Sequence, residues 1–436
     1  MNPSHRRHFL EQAAAGLLAA TATTTALSAS RSANDKLVIG LIGCGGRGTH
    51  DAGLFQKTSN VDVAYVCDVD ENRRDSTAKS LKVSPARAVA DLRRILDDKS
   101  VDAVVIATPD HWHSIAAILA CEAGKHVYVE KPISHNIREG RLLVQASRRA
   151  KTRVQHGTQS RSTTMMIEAV KLLRDGLIGH VRVAKCWNVQ RRGSIGRGQE
   201  SSPPPGFDYD TWVGPATMIP YRTNRVHNRW TWWYHFGTGD MGNDGVHDID
   251  YTRWGLGVET HPSRISALGG KFHFDDDMEF PDTQQVTFEY PGDGQPGSQR
   301  LLVYEQRLWS TNYPHNTDSG AEFYGTKGQM FLSRRGKVEV LNERNQPVPL
   351  SIRPEPQNDA AHVQNFCDAI REGKELTADA LTGHYSTTLC HLGNIATRLS
   401  RSLMFDPTQE KIIGDEEADS LTRRTYREHW AKPKEL

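Results

Sequence analysis

The stretch LVIGLIGCGGRG, residues 37–48, joins a run of apolar residues to a group of glycines. A near-continuous apolar run of this length is typical of a parallel strand that helices cover on both faces. Gly43, Gly45 and Gly48 then follow with the spacing G-x-G-x-x-G. Glycines at this spacing allow a tight turn, let a pyrophosphate approach the backbone, and let a helix pack closely on the strand. The stretch therefore predicts a strand, a turn and a helix whose N-terminus binds phosphate.

A second apolar strand, residues 61–67, ends at Asp68, twenty residues after the last of these glycines. In a dinucleotide-binding fold, a carboxylate at this point accepts hydrogen bonds from an adenosine ribose and repels a 2′-phosphate. NAD is therefore the expected cofactor. NADP stays open because three arginines that would attract a phosphate are close in sequence, namely Arg47, Arg73 and Arg74.

The chain has 436 residues, 37% of them apolar, which is enough for two ordinary domains with their own cores. Residues 1–33 differ from the rest, because Arg6-Arg7 and Phe9-Leu10 precede a weakly apolar segment rich in alanine and threonine. The pattern resembles a twin-arginine export signal, and the segment is too short and too polar for a stable membrane span. We therefore expect an exported, periplasmic protein without a transmembrane anchor. The alternative is a cytoplasmic tail that contains two arginines by chance.

Charge and cysteine usage exclude several classes of partner. Removal of residues 1–33 takes away three arginines and one glutamate, so the formal net charge falls from +2 to zero. No basic stripe is present that would neutralise a run of phosphates, so nucleic acid is excluded as a partner. The six cysteines are scattered singly and resemble small buried hydrophobic residues. No metal is expected either, since nothing nearby completes a ligand set for Asp110-His111-Trp112-His113.

Two further strands end in residues of chemical interest. The strand at 103–107 ends at Thr108-Pro109, and the strand at 126–129 ends at Glu130-Lys131-Pro132. Ligands of open parallel sheets collect at the carboxyl ends of the strands. Thr108 and Lys131 are therefore expected at the ligand.

The glycine turn, the Thr-Pro pair and above all the Glu-Lys-Pro triplet resemble those of the Gfo/Idh/MocA oxidoreductases, the family of glucose–fructose oxidoreductase and inositol dehydrogenase. The similarity runs from Lys36 to the C-terminus and is greatest with exported members. It implies a nicotinamide dinucleotide and a sugar-like substrate, with Lys131 in contact with the nicotinamide ribose and the reacting hydroxyl. The predicted cofactor-binding residues are Gly43, Gly45, Arg47, Gly48, Asp68, Thr108, Pro109, His113, Glu130 and Lys131.

The resemblance also implies the fold class, α/β. We expect a signal peptide at residues 1–33 and a doubly wound parallel sheet of the Rossmann type, which binds NAD(P), at residues 34–157. Residues 158–436 would form an α+β substrate domain with a large, open, mostly antiparallel sheet. Partial alternation along residues 284–290 indicates half-buried strands in that domain. We also expect a homo-oligomer that forms through this sheet.

A glycine-rich segment, residues 237–250, leads into a helix that carries polar side chains. If the helix starts near Asn243, then Asn243, His247, Asp250 and Trp254 share one face. A polar stripe on a helix that packs between domains indicates a wet cleft. The alternative is a capped glycine-rich loop with a hydrogen-bonded core histidine.

In the family, this helix bears an acid four residues before a proton-handling histidine, so the histidine corresponds to His247 and the acid position falls on Asn243. Asn243 can orient a hydroxyl but cannot take a proton, and Asp244 points about 100° away on an ideal helix. The predicted catalytic residues are therefore Lys131 and His247 as the acid/base pair, together with Asn243. His247 suits a base at its ordinary pKa of about 6.5, whereas Lys131 either loses its proton or stays a cation that polarises the substrate oxygen.

The predicted substrate-binding residues are Gln159, Arg161, Trp230 and Asp250. Trp230 starts an aromatic run that fits either the apolar face of a sugar or a protein core. Together the features predict an exported NAD(P)-dependent oxidoreductase that transfers hydride to or from a secondary hydroxyl of a sugar, polyol or glycoside. Since no dinucleotide pool is expected outside the cytoplasm, the cofactor would be tightly bound and recycled internally. The alternatives are a redox-neutral, NAD-dependent glycoside hydrolase and a catalytically silent sugar-binding protein, which Asn243 motivates.

Overall fold

The structure is a computed structural model that describes residues 36–227 and 229–435. The predicted export signal, residues 1–33, lies outside the described residues. None of the helices in the described part of the chain combines the length and the apolar character needed to cross a membrane.

The first domain contains a six-stranded parallel sheet with the strand order β3-β2-β1-β4-β5-β6. Its strands are β1 (Leu37–Ile42), β2 (Val61–Cys67), β3 (Ala88–Val89), β4 (Ala103–Ile106), β5 (His126–Val129) and β6 (Val154–His156). The connecting helices are α1 (Gly46–Lys57), α2 (Glu71–Leu81), α3 (Arg93–Leu96), α4 (Asp110–Glu122) and α5 (Ile137–Ala150). The predicted Rossmann-type sheet is confirmed, and its central strands are buried on both faces because helices cover both sides.

The second domain contains a nine-stranded sheet with the order β13-β12-β11-β7-β10-β9-β8-β14-β15. Its strands are β7 (Val181–Asn188), β8 (Arg264–Gly270), β9 (Thr283–Tyr290), β10 (Arg300–Arg307), β11 (Ser319–Gly325), β12 (Gly328–Ser333), β13 (Lys337–Asn342), β14 (Leu403–Asp406) and β15 (Lys411–Ile413). Only the β7–β10 pair is parallel among these described strands, so the predicted mostly antiparallel sheet is confirmed.

Helices cover one face of the second sheet. The helices of this part of the chain are α6 (Thr164–Arg174), α7 (Tyr209–Val213), α8 (Val246–Leu256), α9 (Asp359–Glu372), α10 (Ala380–Leu399) and α11 (Glu416–Ser420). The inward side chains of the strands, such as Phe288, Tyr304 and Phe323, are fully buried against the helices. The predicted alternation along β9 therefore marks the side of the sheet that holds the core.

The start of α8 differs from the prediction. The α-helix begins at Val246, and residues Met241–Gly245 form a π-helical turn in front of it. A π-helical turn changes the direction of each side chain relative to an ideal α-helix. Asn243 and Asp244 therefore do not have the orientations that an unbroken helix from Asn243 would give them.

Candidate active site

A cleft of about 1170 Å³, open to solvent, lies where the carboxyl ends of the first-domain strands meet the second domain. Nine of the ten predicted cofactor residues line it, and Lys131 is one of them. Those nine are Gly43, Gly45, Arg47, Asp68, Thr108, Pro109, His113, Glu130 and Lys131. Of the other predicted site residues, Asn243 and Trp230 line the cleft from the second domain.

The three glycines of the turn have different physical roles. Gly43 has a φ of 99°, and a Cβ atom there would lie 2.6 Å from the carbonyl group of Ala107. A Cβ atom on Gly48 would lie 1.9 Å from the carbonyl oxygen of Gly43. At Gly45 the nearest atom would be a nitrogen of Arg73 at 3.2 Å. Gly43 and Gly48 are therefore required by the fold, whereas Gly45 leaves space for a ligand in the cleft.

Asp68 lies at the end of β2, as predicted, and its carboxylate is held by the backbone. It accepts hydrogen bonds from the N–H groups of Cys44 at 2.7 Å and Asp70 at 2.9 Å. Burial raises the pKa of this carboxyl above its ordinary value. The side chain thus lies between the glycine turn and the start of α2, where a ribose would be recognised.

Arg47, which is partly exposed, pairs with the buried Glu130 next to the glycine turn. Arg47 donates from Nε to Glu130 at 2.9 Å and from Nη1 to Asp359 at 2.8 Å. Burial raises the pKa of Glu130, but the charges of Arg47 and Lys131 outweigh it and lower the pKa to about 2. Because Arg47 is committed to two carboxylates, its charge is largely neutralised, which weakens the argument for NADP.

Several polar atoms at the cleft have no hydrogen-bond partner among the described residues. The buried Nη2 atom of Arg47 and the buried Oγ1 atom of Thr108 are two of them. Unpaired buried polar groups are rare in native proteins because they cost free energy. Together with the space beside Gly45, they fit a dinucleotide that supplies the missing partners.

Lys131 reaches across the cleft to the second domain. Its Nζ donates to the backbone oxygen of Asn243 at 2.6 Å and to the side-chain oxygen Oδ1 at 3.2 Å. The amide nitrogen of Asn243 in turn donates to Asp240 at 3.0 Å. Two predicted catalytic residues are therefore in direct contact, and the amide of Asn243 fixes the ammonium group of Lys131.

Asp244, the neighbour of Asn243, binds two arginines. It accepts hydrogen bonds from Arg192 and, at 3.4 Å, from Arg334. Burial raises the pKa of the Asp244 carboxyl, but the charges of Arg334 and Lys131 hold the pKa well below its usual range. Asp244 therefore stays ionised and contributes negative charge near Lys131, but it does not act as a proton carrier.

His247 is 5% exposed, and its Nδ1 atom is buried without a partner among the described residues. Burial and the charges of Arg334 and Lys131 lower the pKa of the imidazole well below 6.5. The expectation of an ordinary pKa is therefore wrong, because the sequence does not show the burial of this side chain. His247 is neutral at neutral pH and is a weaker base than expected. It is not among the residues that line the cleft.

Asp110 is a residue that the sequence analysis missed as part of the site. It begins α4 directly after Thr108-Pro109, lines the cleft, and accepts a hydrogen bond from the Thr238 hydroxyl at 2.6 Å. Burial raises the pKa of its carboxyl to about 7, against the opposing effects of Thr238 and Lys131. Its position after a strand end was a signal that could have identified it.

His113 lines the cleft but mainly connects two strand ends. Its ring nitrogens lie 2.6 Å from the carbonyl oxygen of Pro132 and 2.8 Å from that of Thr108. The imidazole thus bridges the turns that follow β4 and β5. His113 therefore supports the wall of the cleft.

Three of the four predicted substrate residues do not line the cleft. Gln159 is fully buried and donates to Glu130 at 2.8 Å and to Tyr128 at 3.0 Å. Arg161 donates to Asp250 at 2.7 Å in an ion pair that is buried on both sides. The structure thus does not bring Gln159, Arg161 and Asp250 to the cleft, although the Nη2 atom of Arg161 is buried without a partner among the described residues.

Two residues missed by the sequence analysis extend the cleft. Trp430, near the C-terminus, lines it and stacks with Arg93, whose guanidinium carbon is 4.3 Å from the ring centre. His227 also lines it and bonds to Asp70 at 2.9 Å. Neither residue belongs to a recognisable motif, because both reach the cleft only through the tertiary fold.

One group of possible metal ligands occurs among the described residues, outside the cleft. His261 and His384 each contact the same oxygen of Glu410 at 2.8 Å. Arg141 pairs with the same carboxylate. Burial lowers the pKa of His261 to about 4 and that of His384 below its ordinary value, so both rings are neutral. The carboxylate therefore has one ion-pair partner, Arg141, and two neutral histidine partners, and the cluster links α5 to the second domain.

Comparison with known proteins agrees with this architecture. Residues 37–158 match an oxidoreductase family with an NAD-binding Rossmann fold, and residues 186–432 match the C-terminal alpha/beta domain of that family. Inositol 2-dehydrogenase 2 of Saccharopolyspora erythraea is 27% identical over 82% of this chain and 93% of its own length. A glycosyl hydrolase family 109 protein of Shewanella putrefaciens is 31% identical over 45% of this chain and 44% of its own length.

Among solved structures, the aldose-aldose oxidoreductase of Caulobacter crescentus superposes with a TM-score of 0.66 at 18% identity. The match covers 85% of this chain and all of that protein. At this identity the likeness shows the shared fold. With the family match over both domains, the cleft at the glycine turn is an NAD-binding site, and the chain belongs to the Gfo/Idh/MocA family of oxidoreductases.

Proposed function

We propose that the protein is an exported NAD(P)-dependent oxidoreductase that acts on a secondary hydroxyl of a sugar, polyol or glycoside. The observation that carries this proposal is the contact of Lys131 with Asn243 across the cofactor cleft, with Nζ 2.6 Å from the backbone oxygen. A relative named inositol 2-dehydrogenase, matched over 93% of its length, supports a polyol or sugar as the substrate class.

The residues of the cleft fit the cofactor and define its orientation. Gly45 and the N-terminus of α1 would hold the pyrophosphate, Asp68 the adenosine ribose, and Lys131 the nicotinamide end. Bound NAD⁺ would supply the hydride acceptor for the carbon that carries the hydroxyl. NAD is favoured over NADP because Asp68 repels a 2′-phosphate and Arg47 is already paired.

The hydroxyl proton requires an acceptor, and there are three candidates. Lys131 and Asp110 line the cleft, whereas His247 does not line it but is affected by the charge of Lys131. Lys131 either takes the proton or polarises the oxygen as a cation. Asp110, whose pKa is raised to about 7 by burial, provides a carboxylate close to Lys131 at neutral pH. His247 is neutral and acts as a second acceptor or hydrogen-bond donor.

The cofactor is proposed to stay bound through many turnovers. Trp430, His227 and Trp230 add walls from outside the first domain to the cleft. The hydrogen bond between His227 and Asp70, 2.9 Å long, ties one of these walls to the loop after β2. Enclosure from both sides supports slow release, which an enzyme needs where no dinucleotide pool exists.

Export through the twin-arginine pathway is proposed from Arg6-Arg7 and the segment that follows. The double variant Arg6→Lys/Arg7→Lys should leave the precursor in the cytoplasm of the exporting host, as measured by fractionation. Normal export of the variant, or a block only when the Sec pathway is inhibited, would refute this route.

A redox-neutral glycoside hydrolase is the second candidate, and the family 109 glycosyl hydrolase relative supports it. In such an enzyme, oxidation at one carbon acidifies a neighbouring C–H bond, elimination releases the aglycone, water adds to the double bond that elimination leaves, and the oxidation is then reversed. The match covers less than half of either chain, so it ranks second.

Assembly through the second sheet is proposed from its outer face. Leu268 is 82% exposed, Ile413 56% and Met404 44%, all near one edge of that sheet. Exposed apolar side chains in one region favour contact with a second copy. Light scattering should give the mass of an oligomer, and Leu268→Glu should reduce it. A monomeric wild-type protein would contradict the proposal.

One experiment tests the proposed activity. The mature protein is purified from its exporting host, its absorbance and fluorescence are recorded for bound dinucleotide, and sugars, polyols and nitrophenyl glycosides are added. An increase or decrease of absorbance at the nicotinamide band supports the proposed oxidoreductase activity. Release of nitrophenol without net change in that band supports the hydrolase, and protein that neither contains nor binds NAD contradicts both.

A further inference from the structure

A second cavity lies behind the wall of the cofactor cleft. It has about 1500 Å³ of space open to solvent and is bounded by the loop before α5, by α10, and by the segment that follows α11. Thr238 lines this cavity, and its hydroxyl bonds to Asp110 in the cleft at 2.6 Å. The two spaces are thus separate but share one layer of side chains.

The charged side chains that line the cavity are all basic. They are the arginines Arg398, Arg423 and Arg424, and no aspartate or glutamate is among the described lining residues. Arg424 pairs with Glu139 at 2.8 Å and Arg423 with Asp419 at 2.9 Å, but both carboxylates lie outside the lining.

Arg398 is the most available of the three cations. Its guanidinium carbon lies 4.1 Å from the ring centre of Tyr234, which also lines the cavity. Among the described residues, no carboxylate lies within ion-pair distance of Arg398. The position therefore holds a cation over an aromatic ring beside open space.

Asn136 supplies an independent indication of a ligand. The side chain is 4% exposed and caps α5, because its Oδ1 accepts the N–H of Glu139 at 3.0 Å. Its amide nitrogen is buried, has no partner among the described residues, and belongs to a residue that lines the cavity. An amide donor at a helix N-terminus, where the dipole is positive, is suited to an anionic oxygen.

We propose that this cavity binds a small molecule that carries an oxyanion, such as a sugar acid or a phosphate, with Asn136 and Arg398 as its main contacts. Arg423, Arg424 and His391 also line the cavity, but each of the two arginines is already paired with a carboxylate. The site is separate from the cleft, so it does not depend on the proposed activity.

Calorimetric titration of the cofactor-loaded protein tests the proposal, with D-glucuronate, D-glucose and inorganic phosphate as probes at constant ionic strength. Cofactor is kept bound so that phosphate does not enter the glycine turn. Glucuronate or phosphate should bind at least ~10-fold more tightly than glucose, because glucose lacks the anionic oxygens.

The variants locate the site. Asn136→Asp keeps the cap of α5 but replaces the amide donor by a carboxylate, so it should weaken anion binding by ~10-fold or more. Arg398→Gln, at an exposed position, should weaken it by a similar factor. Arg353→Gln, an exposed arginine outside the cavity, and Lys131→Met in the cleft should bind the anion like the wild type.

Three results would overturn the proposal. The first is that neither anion binds, and the second is that glucose binds as well as glucuronate. The third is that binding is unchanged in both Asn136→Asp and Arg398→Gln but lost in Lys131→Met, which would place the anion in the cleft.

Discussion

The first-domain wall of the cofactor cleft consists of strand ends and one glycine turn, whereas the second-domain wall consists of a π-helical turn and loops. In the first wall, the parallel ladder of the sheet sets the position of each side chain. In the second wall, Asn243 is held by its hydrogen bond to Asp240, and Arg192 from a distant loop binds both Asp240 and Asp244. The cofactor site is therefore set by local backbone geometry, and the catalytic site by side-chain pairs that only the tertiary fold brings together.

The glycine turn offers the most direct way to break the first wall without breaking the fold. Gly45→Val should leave the domain folded, because a Cβ atom there has only one neighbour within 4 Å, the end of the long Arg73 side chain. It should weaken NAD binding by ~10³-fold or more, since the valine occupies the pyrophosphate space. Fluorescence titration with NADH measures the affinity, and circular dichroism monitors the fold.

Gly48→Ala is the matched comparison. Its methyl group would meet the carbonyl oxygen of Gly43 at 1.9 Å, so the protein should lose stability as well as cofactor. Equal NAD affinity in Gly45→Val and the wild type would show that the phosphates do not lie at this turn.

His247 tests the second wall. His247→Ala should lower the single-turnover rate by ~10²–10³-fold with the cofactor still bound, because a proton acceptor or donor is lost near Lys131. Stopped-flow absorbance measures the rate, and the absorbance ratio of the purified protein measures occupancy. A wild-type rate in this variant would leave His247 with a structural role only.

Asp110 should destabilise the folded protein when it is ionised. Its folded pKa of about 7 lies above the unfolded value near 3.8, so the folded state holds the proton more tightly and stability falls as the pH rises from about 4 to about 7. Asp110→Asn removes this effect and should raise the free energy of unfolding by ~1–3 kcal/mol at pH 8, with little change at pH 4. Urea denaturation of both proteins at several pH values measures the difference. An equal change at both pH values would contradict the raised pKa.

Asn243→Asp should have the smallest effect. A carboxylate 3.2 Å from the Lys131 nitrogen stabilises the ammonium form, although the variant loses the amide donation to Asp240. It should stay within ~10-fold of the wild-type rate, and its pH profile should move to higher pH by about 0.5–1 unit. The pH dependence of the single-turnover rate measures this. A profile that does not move would assign Lys131 the role of a permanent cation.

The first wall could be predicted from the sequence almost completely. Its signals are local: the glycine spacing, the acid after β2, and the residues after β4 and β5. Nine of the ten cofactor-binding residues predicted from these signals line the cleft. Asp110 carried the same signal but was considered only as a metal ligand.

The second wall could be predicted only in part. Lys131 and Asn243, two members of the predicted catalytic set, are in contact. The π-helical turn and the burial of His247 have no local signature. Arg161 and Asp250 bind each other, and a buried ion pair and a substrate-binding pair look alike in sequence.

The central claim is that Lys131, held by Asn243, acts on the hydroxyl of a bound sugar or polyol. Single-turnover reduction of the protein-bound cofactor tests this claim most directly. Lys131→Met should lower the rate by ~10²–10⁴-fold with full cofactor occupancy. The double variant Lys131→Met/His247→Ala should be little slower than Lys131→Met alone. The control Lys99→Met, at an exposed position, should match the wild type. A wild-type rate in Lys131→Met with its cofactor bound would contradict the account and leave only the fold in common with the family.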